Sequence, residues 1–156
     1  MSMSTHSSTK LRIIQHNCAR STNIMHSCLS AAATTADIIF IQEPWISKEG
    51  GTIMHPSFQS IIPPTQGTQR PRTLTFVTTT NPHVKVTPKL DILSDPDCQV
   101  LDISTTQIPT ITFFNVYNER NRGNNGRREF MIDRLFPTLT FPNRTIITGN
   151  MNAHHE

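Results

Sequence analysis

LRIIQHNCARSTNIMHSCLSAAATTADIIFIQE, residues 11–43, passes through three periodicities in succession. LRIIQH (11–16) alternates, with Ile13 and Gln15 toward one face and Ile14 and His16 toward the other, which predicts a strand. Ser21, Thr22 or Asn23 is placed to cap a helix. Met25, Cys28, Leu29 and Ala32 then fall at i, i+3, i+4 and i+7 and form a single buried stripe. DIIFIQE (37–43) is continuously apolar up to Gln42, as a central strand covered on both faces would be. Strand, helix and strand in roughly thirty residues predict a βαβ unit with a right-handed crossover, and so an α/β fold.

Downstream, residues 44–71 hold Pro44, Pro56, Pro63, Pro64 and Pro71 and little periodicity. They read as a long surface loop with a short turn near Ile61, and loops of that length usually carry function. RTLTFVTT (72–79), HVKVT (83–87), QVLDIS (99–104) and PTITFFNVYN (109–118) are alternating or β-rich runs separated by proline punctuation. ERNRGNNGR (119–127) reads as a loop, and a helix is expected from Arg127 to Phe136 with Ile132, Leu135 and Phe136 on its apolar face. NRTIITG (143–149) is a last short strand. Residues 1–10 read as a disordered leader. No repeat and no linker divides the remainder.

The 156 residues suit one domain. Hydrophobic residues make up 35% and charged residues 16%, below the roughly 45–50% and about 25% of an average globular chain. A net charge of +3 permits contact with a polyanion without requiring it. The longest aliphatic or aromatic run, Ile38 to Ile41, is far too short for a bilayer, so no membrane contact is expected. The opening MSMSTHSSTK has no apolar segment of the signal-peptide kind. Cys18, Cys28 and Cys98 are odd in number and form no CxxC, which suits reduced thiols. Together these predict an intracellular protein, nuclear or cytoplasmic, and not a secreted one.

Four predicted strands end in polar groups: Asn17, then Gln42 and Glu43, then Tyr117 and Asn118, then Asn150 and Asn152 around Met151. In α/β sheets ligands collect at the carboxyl ends of strands. Singly, each residue has an ordinary role: a turn for Asn17, a solvated strand exit for Glu43 before Pro44, a core ring for Tyr117. Their joint order carries the weight.

In that order IQHN, DIIFIQEPW, FFNVYNERN and TGNMNAHHE resemble the endonuclease/exonuclease/phosphatase superfamily. The likeness is greatest to the apurinic-like endonuclease domain of non-LTR (LINE-type) retrotransposons, fungal ones in particular. It covers residues 11–156. It implies a four-layer α/β sandwich of two facing mixed β-sheets with helices outside, here incomplete, with residues 11–156 as its N-terminal two-thirds. It also implies hydrolysis of a DNA phosphodiester with Mg2+ (or Mn2+) and no small-molecule cofactor. A hard cation of this kind needs only one or two protein carboxylates. By the resemblance Glu43 is that carboxylate, with Asn17 beside the metal. Tyr117 would contact the scissile phosphate, and Asn152 would orient water and phosphate. Arg120, Arg122, Arg127 and Arg128 would meet DNA phosphates in weak, salt-dependent binding, with Trp45 on the DNA side of the long loop.

Two departures stand against full activity. The family reads Gly-Asp-Phe-Asn where this chain reads Gly149-Asn150-Met151-Asn152. The aspartate at position 150 helps activate water, and an amide cannot accept its proton. Domains of the family also continue for ~60–100 residues more, through an Asp-His pair. His154 and His155 match the residues that follow the motif and not that pair. The expectation is therefore an impaired, truncated endonuclease that risks self-association through an exposed sheet edge. The alternatives are a non-catalytic nucleic-acid-binding remnant, a non-functional product, and a phosphatase-type member of the superfamily.

Overall fold

The computed structural model describes residues 10–122 and 128–152. The expected disordered leader therefore lies, apart from Lys10, outside the described residues, as do Arg127, His154 and His155. In chain order the elements are β1 (Ile13–Asn17), α1 (Thr22–Ala32), β2 (Ile38–Gln42), β3 (Phe58–Ile61), β4 (Thr73–Thr78), β5 (Lys85–Pro88), β6 (Cys98–Ser104) and β7 (Ile111–Tyr117). A hairpin of β8 (Arg120–Arg122) and β9 (Arg128–Phe130) follows, then α2 (Met131–Leu135), a 3-10 turn over Phe136–Thr138, and β10 (Thr145–Asn150).

Two four-stranded mixed sheets form, ordered β1-β2-β4-β3 and β10-β7-β6-β5. In each, one pair is parallel (β1 with β2, β10 with β7) and the others are antiparallel. The predicted βαβ unit is the first parallel pair and its crossover helix. Ser21 caps α1, its Oγ accepting from the Ile24 amide at 3.3 Å.

All five residues of β2 are buried, and their alternation sorts the layers. Ile38 and Phe40 enter the space between the sheets with Leu101, Ile103 and Phe113. Ile39 and Ile41 face the other way, onto Met25, Leu29 and Ala32 of α1. On the far side Val100, Phe114 and Val116 pack on Met131, with Ile132, Leu135 and Phe136 partly buried around it. Helix, sheet, sheet and helix are thus stacked as the expected four-layer α/β sandwich. Each fully buried side chain of this size adds about 1.5–3 kcal/mol relative to exposure.

The inter-sheet space also holds amides, which must be paired to be tolerated there. Gln15 Nε2 donates to Gln42 Oε1, and Gln42 Nε2 donates to Asn115 Oδ1, each at 2.7 Å. Asn115 Nδ2 in turn meets the carbonyls of Ile41 and Leu74 at 3.2 and 3.1 Å. This relay fastens the two sheets beneath the strand ends that carry the candidate site.

Three local expectations are corrected. Residues 44–71 are not all surface loop: β3 pairs with β4, and Ile46, Ile53 and Phe58 are buried. The four residues of β3, set between Pro56 and Pro63, are too few to show a strand period, and pairing with β4 supplies what the local pattern lacks. Residues 119–127 are not simply a loop, because Arg120–Arg122 forms a strand of the hairpin. The helix expected from Arg127 begins only at Met131, since Arg128–Phe130 is taken up by that hairpin. Its start is pinned by Met131 N–H donating to the Glu119 carbonyl at 3.0 Å and Ile132 N–H donating to Asn118 Oδ1 at 3.0 Å.

Candidate active site

The β1–β2 ladder runs on past both strands. Cys18 N–H donates to the Gln42 carbonyl at 2.9 Å, Arg20 N–H to the Glu43 carbonyl at 2.8 Å, and Glu43 N–H to the Arg72 carbonyl at 2.9 Å. Glu43 is thereby held between the β1–α1 turn and β4 in a left-handed conformation, with φ 49°. Such a backbone costs about 1–3 kcal/mol in a residue with a side chain and persists only where its surroundings over-determine it.

Across the interface between the sheets, Tyr117 at the end of β7 donates its hydroxyl to Glu43 Oε1 at 2.8 Å. The Asn152 amide lies near the same hydroxyl and favours its ionised form. Burial pushes the Tyr117 phenol above its usual range, and the bond and charge of Glu43 push it the same way, against smaller pulls from Asn152 and Arg72. Tyr117 is therefore a neutral donor at physiological pH.

Arg72 braces the pair from below. Its guanidinium forks onto both oxygens of buried Asp97, each at 2.6 Å, and pairs with Glu119. It also lies 5.4 Å from the centre of the Tyr117 ring, within cation–π range. Burial raises the Asp97 carboxyl despite this fork.

The end of β10 is shaped by three residues. Gly149 has φ 138°, and a Cβ there would overlap the Val116 backbone, so only glycine fits. Asn150, in register with Tyr117, spends its side-chain oxygen on Asn152 N–H at 3.0 Å. That turn carries Asn152 into a left-handed conformation, φ 47°. Asn118 ties the ends together: its N–H donates to the Asn150 carbonyl and its Nδ2 to the Met151 carbonyl, both at 2.8 Å, while its carbonyl accepts from Asn152 Nδ2 at 3.0 Å.

Glu43, Tyr117, Asn150 and Asn152 thus meet at one edge of the sandwich. Asn17 lies at the same edge, in register with Gln42, but its side-chain oxygen accepts from Ala19 N–H at 2.9 Å and serves the turn. Trp45 lines a cavity of about 350 Å³ with Glu43, Arg20, Arg70 and Arg72. Arg120 is exposed, its guanidinium 5.6 Å from the Phe130 ring centre. Arg122 and Arg128 are backbone partners in the hairpin register.

The strand-end pattern includes Asn118 but gives it no role, and it does not reach Arg20, Arg70 or Arg72; the RPR run at 70–72, immediately before β4, is the signal that points to the last two. Among the described residues no three His, Cys, Asp or Glu side chains cluster as metal ligands. The donor set fits a hydrated hard cation better than a fully protein-caged one. Glu43 has one oxygen taken by Tyr117 and a second with no described donor, and a magnesium ion keeps several waters. No described helix is long and apolar enough to cross a membrane, and the three cysteines are free thiols.

No family model and no curated protein sequence matches the chain. Among solved structures, the endonuclease domain of TRAS1, a telomere-specific non-LTR retrotransposon, matches with a TM-score of 0.65 at 20% sequence identity. The match covers 94% of this chain and 61% of that one. The two share a fold, and the chain spans about three-fifths of the length of the domain it matches.

Proposed function

We propose that the chain carries the metal side of a phosphodiester-cleaving site of the endonuclease/exonuclease/phosphatase kind, directed at DNA as in non-LTR retrotransposons, and that its chemistry is impaired. The observation that carries this reading is the bond from Tyr117 to Glu43 across the two sheets, made where Asn152 also arrives. Glu43 would hold Mg2+ (or Mn2+) through the oxygen that Tyr117 leaves free, with Asn17 beside it. Bound there, the ion supplies positive charge against the phosphoryl oxygens. Tyr117 stays neutral, and its one O–H, given to Glu43 here, would turn to a phosphoryl oxygen when a phosphate enters the site. Asn152 lies near that hydroxyl and is held by the Asn118 carbonyl, placed to orient water and phosphate. Asn150 holds the turn and cannot take a proton from water.

A second reading, a nucleic-acid-binding remnant without catalysis, is favoured by that same amide at position 150, whose oxygen is occupied by Asn152 N–H. A plasmid-nicking assay with Mg2+ separates the two. The expected result is no detectable nicking by the 156-residue chain or by Asn150→Asp alone. Nicking should return when Asn150→Asp is placed in a chain extended to the full length of the matched domain, and Glu43→Ala should then abolish it. Loss of one member of a catalytic unit commonly costs several powers of ten, and such losses are not additive. Robust nicking by the unmodified chain that Glu43→Ala removes would overturn the impaired reading. No nicking by the extended Asn150→Asp protein would favour the remnant.

A further inference from the structure

The cavity of about 350 Å³ beside Glu43 is walled by Arg20, Trp45, Arg70 and Arg72, with Pro44, Pro71 and Pro96 between them. Its volume lies in the range of small-ligand sites, roughly 300–1,000 Å³. Arg72 is already committed to Asp97 and Glu119. Arg20 and Arg70 are different: both are exposed, and among the described residues neither guanidinium has an ion-pair or hydrogen-bond partner.

The arginines are nonetheless on well-placed backbone. Arg20 has φ 58°, and its N–H is bonded to the Glu43 carbonyl. Arg70 precedes Pro71, which is buried, and Arg72, which is clamped. Trp45 is half-buried, with its N–H on Met25 Sδ and its carbonyl accepting from Thr52 Oγ1. Pro44, Pro71 and Pro96, each with a fixed φ, form part of its wall. Two unpaired guanidiniums and an indole around a recess that opens onto a metal-binding carboxylate are the elements of nucleotide recognition. Guanidinium matches phosphate oxygens in a two-pronged geometry, and aromatic rings stack on bases without regard to sequence.

We propose that this cavity is a subsite for the nucleotide flanking the cleaved phosphodiester, Arg20 and Arg70 holding its phosphates and Trp45 stacking on its base. The inference rests on the nucleic-acid reading above and deepens it.

The chain has one tryptophan, so its fluorescence reports this cavity alone. The full chain is titrated with a short single-stranded deoxyoligonucleotide at several salt concentrations, following Trp45 emission and, in parallel, the anisotropy of a labelled strand. The expected result is saturable quenching. In the double variant Arg20→Gln/Arg70→Gln affinity should drop about tenfold or more at low salt. The slope of log affinity against log salt should fall by about 1.4, at ~0.7 per phosphate released from a single strand. Both side chains are exposed, so an unchanged circular dichroism melt confirms the fold. An unchanged slope and affinity in the double variant would overturn the proposal. So would anisotropy-detected binding with no change in Trp45 emission, which would move the DNA elsewhere and leave the nuclease reading standing. Binding by neither readout would sink both. Nicking by the extended Asn150→Asp protein that is lost on adding Glu43→Gln, with Trp45 quenching unchanged by Glu43→Gln, is the result in which both stand.

Discussion

Glu43 and Tyr117 are one unit at the residue scale, and the phenol reports on it. Tyr117 is the only tyrosine, so an ultraviolet titration follows it directly. Its phenol is raised by burial and by Glu43. Glu43→Gln removes the charge and keeps an acceptor, and should lower the midpoint toward the ordinary range near pH ~10. A midpoint that does not move would mean that burial alone sets it. A raised phenol contributes stability that is fully present below its unfolded value and is lost as pH rises through the folded one, so the effect belongs to alkaline solution only. Gly149 is the other residue with no substitute. Gly149→Ala places a Cβ on the Val116 backbone at φ 138°, and urea unfolding should show a loss of about 2 kcal/mol or more.

Among the elements, the start of β1, the end of α1 and the strand exit after β4 are joined through Asp37. This buried carboxylate accepts from Arg12 N–H at 2.8 Å, from the Arg12 guanidinium at 3.4 Å and from Asn81 Nδ2 at 3.3 Å. Arg12 also reaches the Thr34 carbonyl at 3.2 Å. Burial raises the Asp37 carboxyl, but the Arg12 and Asn81 bonds outweigh it and hold the group below the usual carboxylate range. A lowered carboxylate stabilises the fold above its unfolded value, near pH ~3.9, and that contribution disappears as pH falls through the folded value. Thermal melts between pH 7 and pH 3 should therefore show a steeper acid loss for the natural chain than for Asp37→Asn. At neutral pH that variant should already be about 1–3 kcal/mol less stable. Equal acid slopes would remove Asp37 from the account.

For the whole molecule, β1 and β10 stand at the outer ends of their sheets, and Ile13, Ile146 and Ile147 are 37%, 45% and 42% exposed. Open edges bearing apolar side chains invite pairing. Sedimentation velocity should show concentration-dependent association, reduced by Ile146→Lys or Ile147→Lys on the edge strand; a monodisperse monomer at all concentrations would contradict this. The same molecule shows what local pattern determines. The period of residues 11–43 was enough for strand, capped helix and doubly covered strand, because burial on one stripe or on two faces leaves its mark on composition. Polar residues at four strand ends were enough to nominate Glu43, Tyr117 and Asn152. Tertiary structure alone decided that Phe58–Ile61 pairs as a strand and that Arg128–Phe130 joins a hairpin instead of a helix. It alone joined Arg72 to Asp97, twenty-five residues away, and Tyr117 to Glu43, seventy-four away. Those contacts leave no local period, since their partners are chosen by the stacking of two sheets and not by neighbours along the chain.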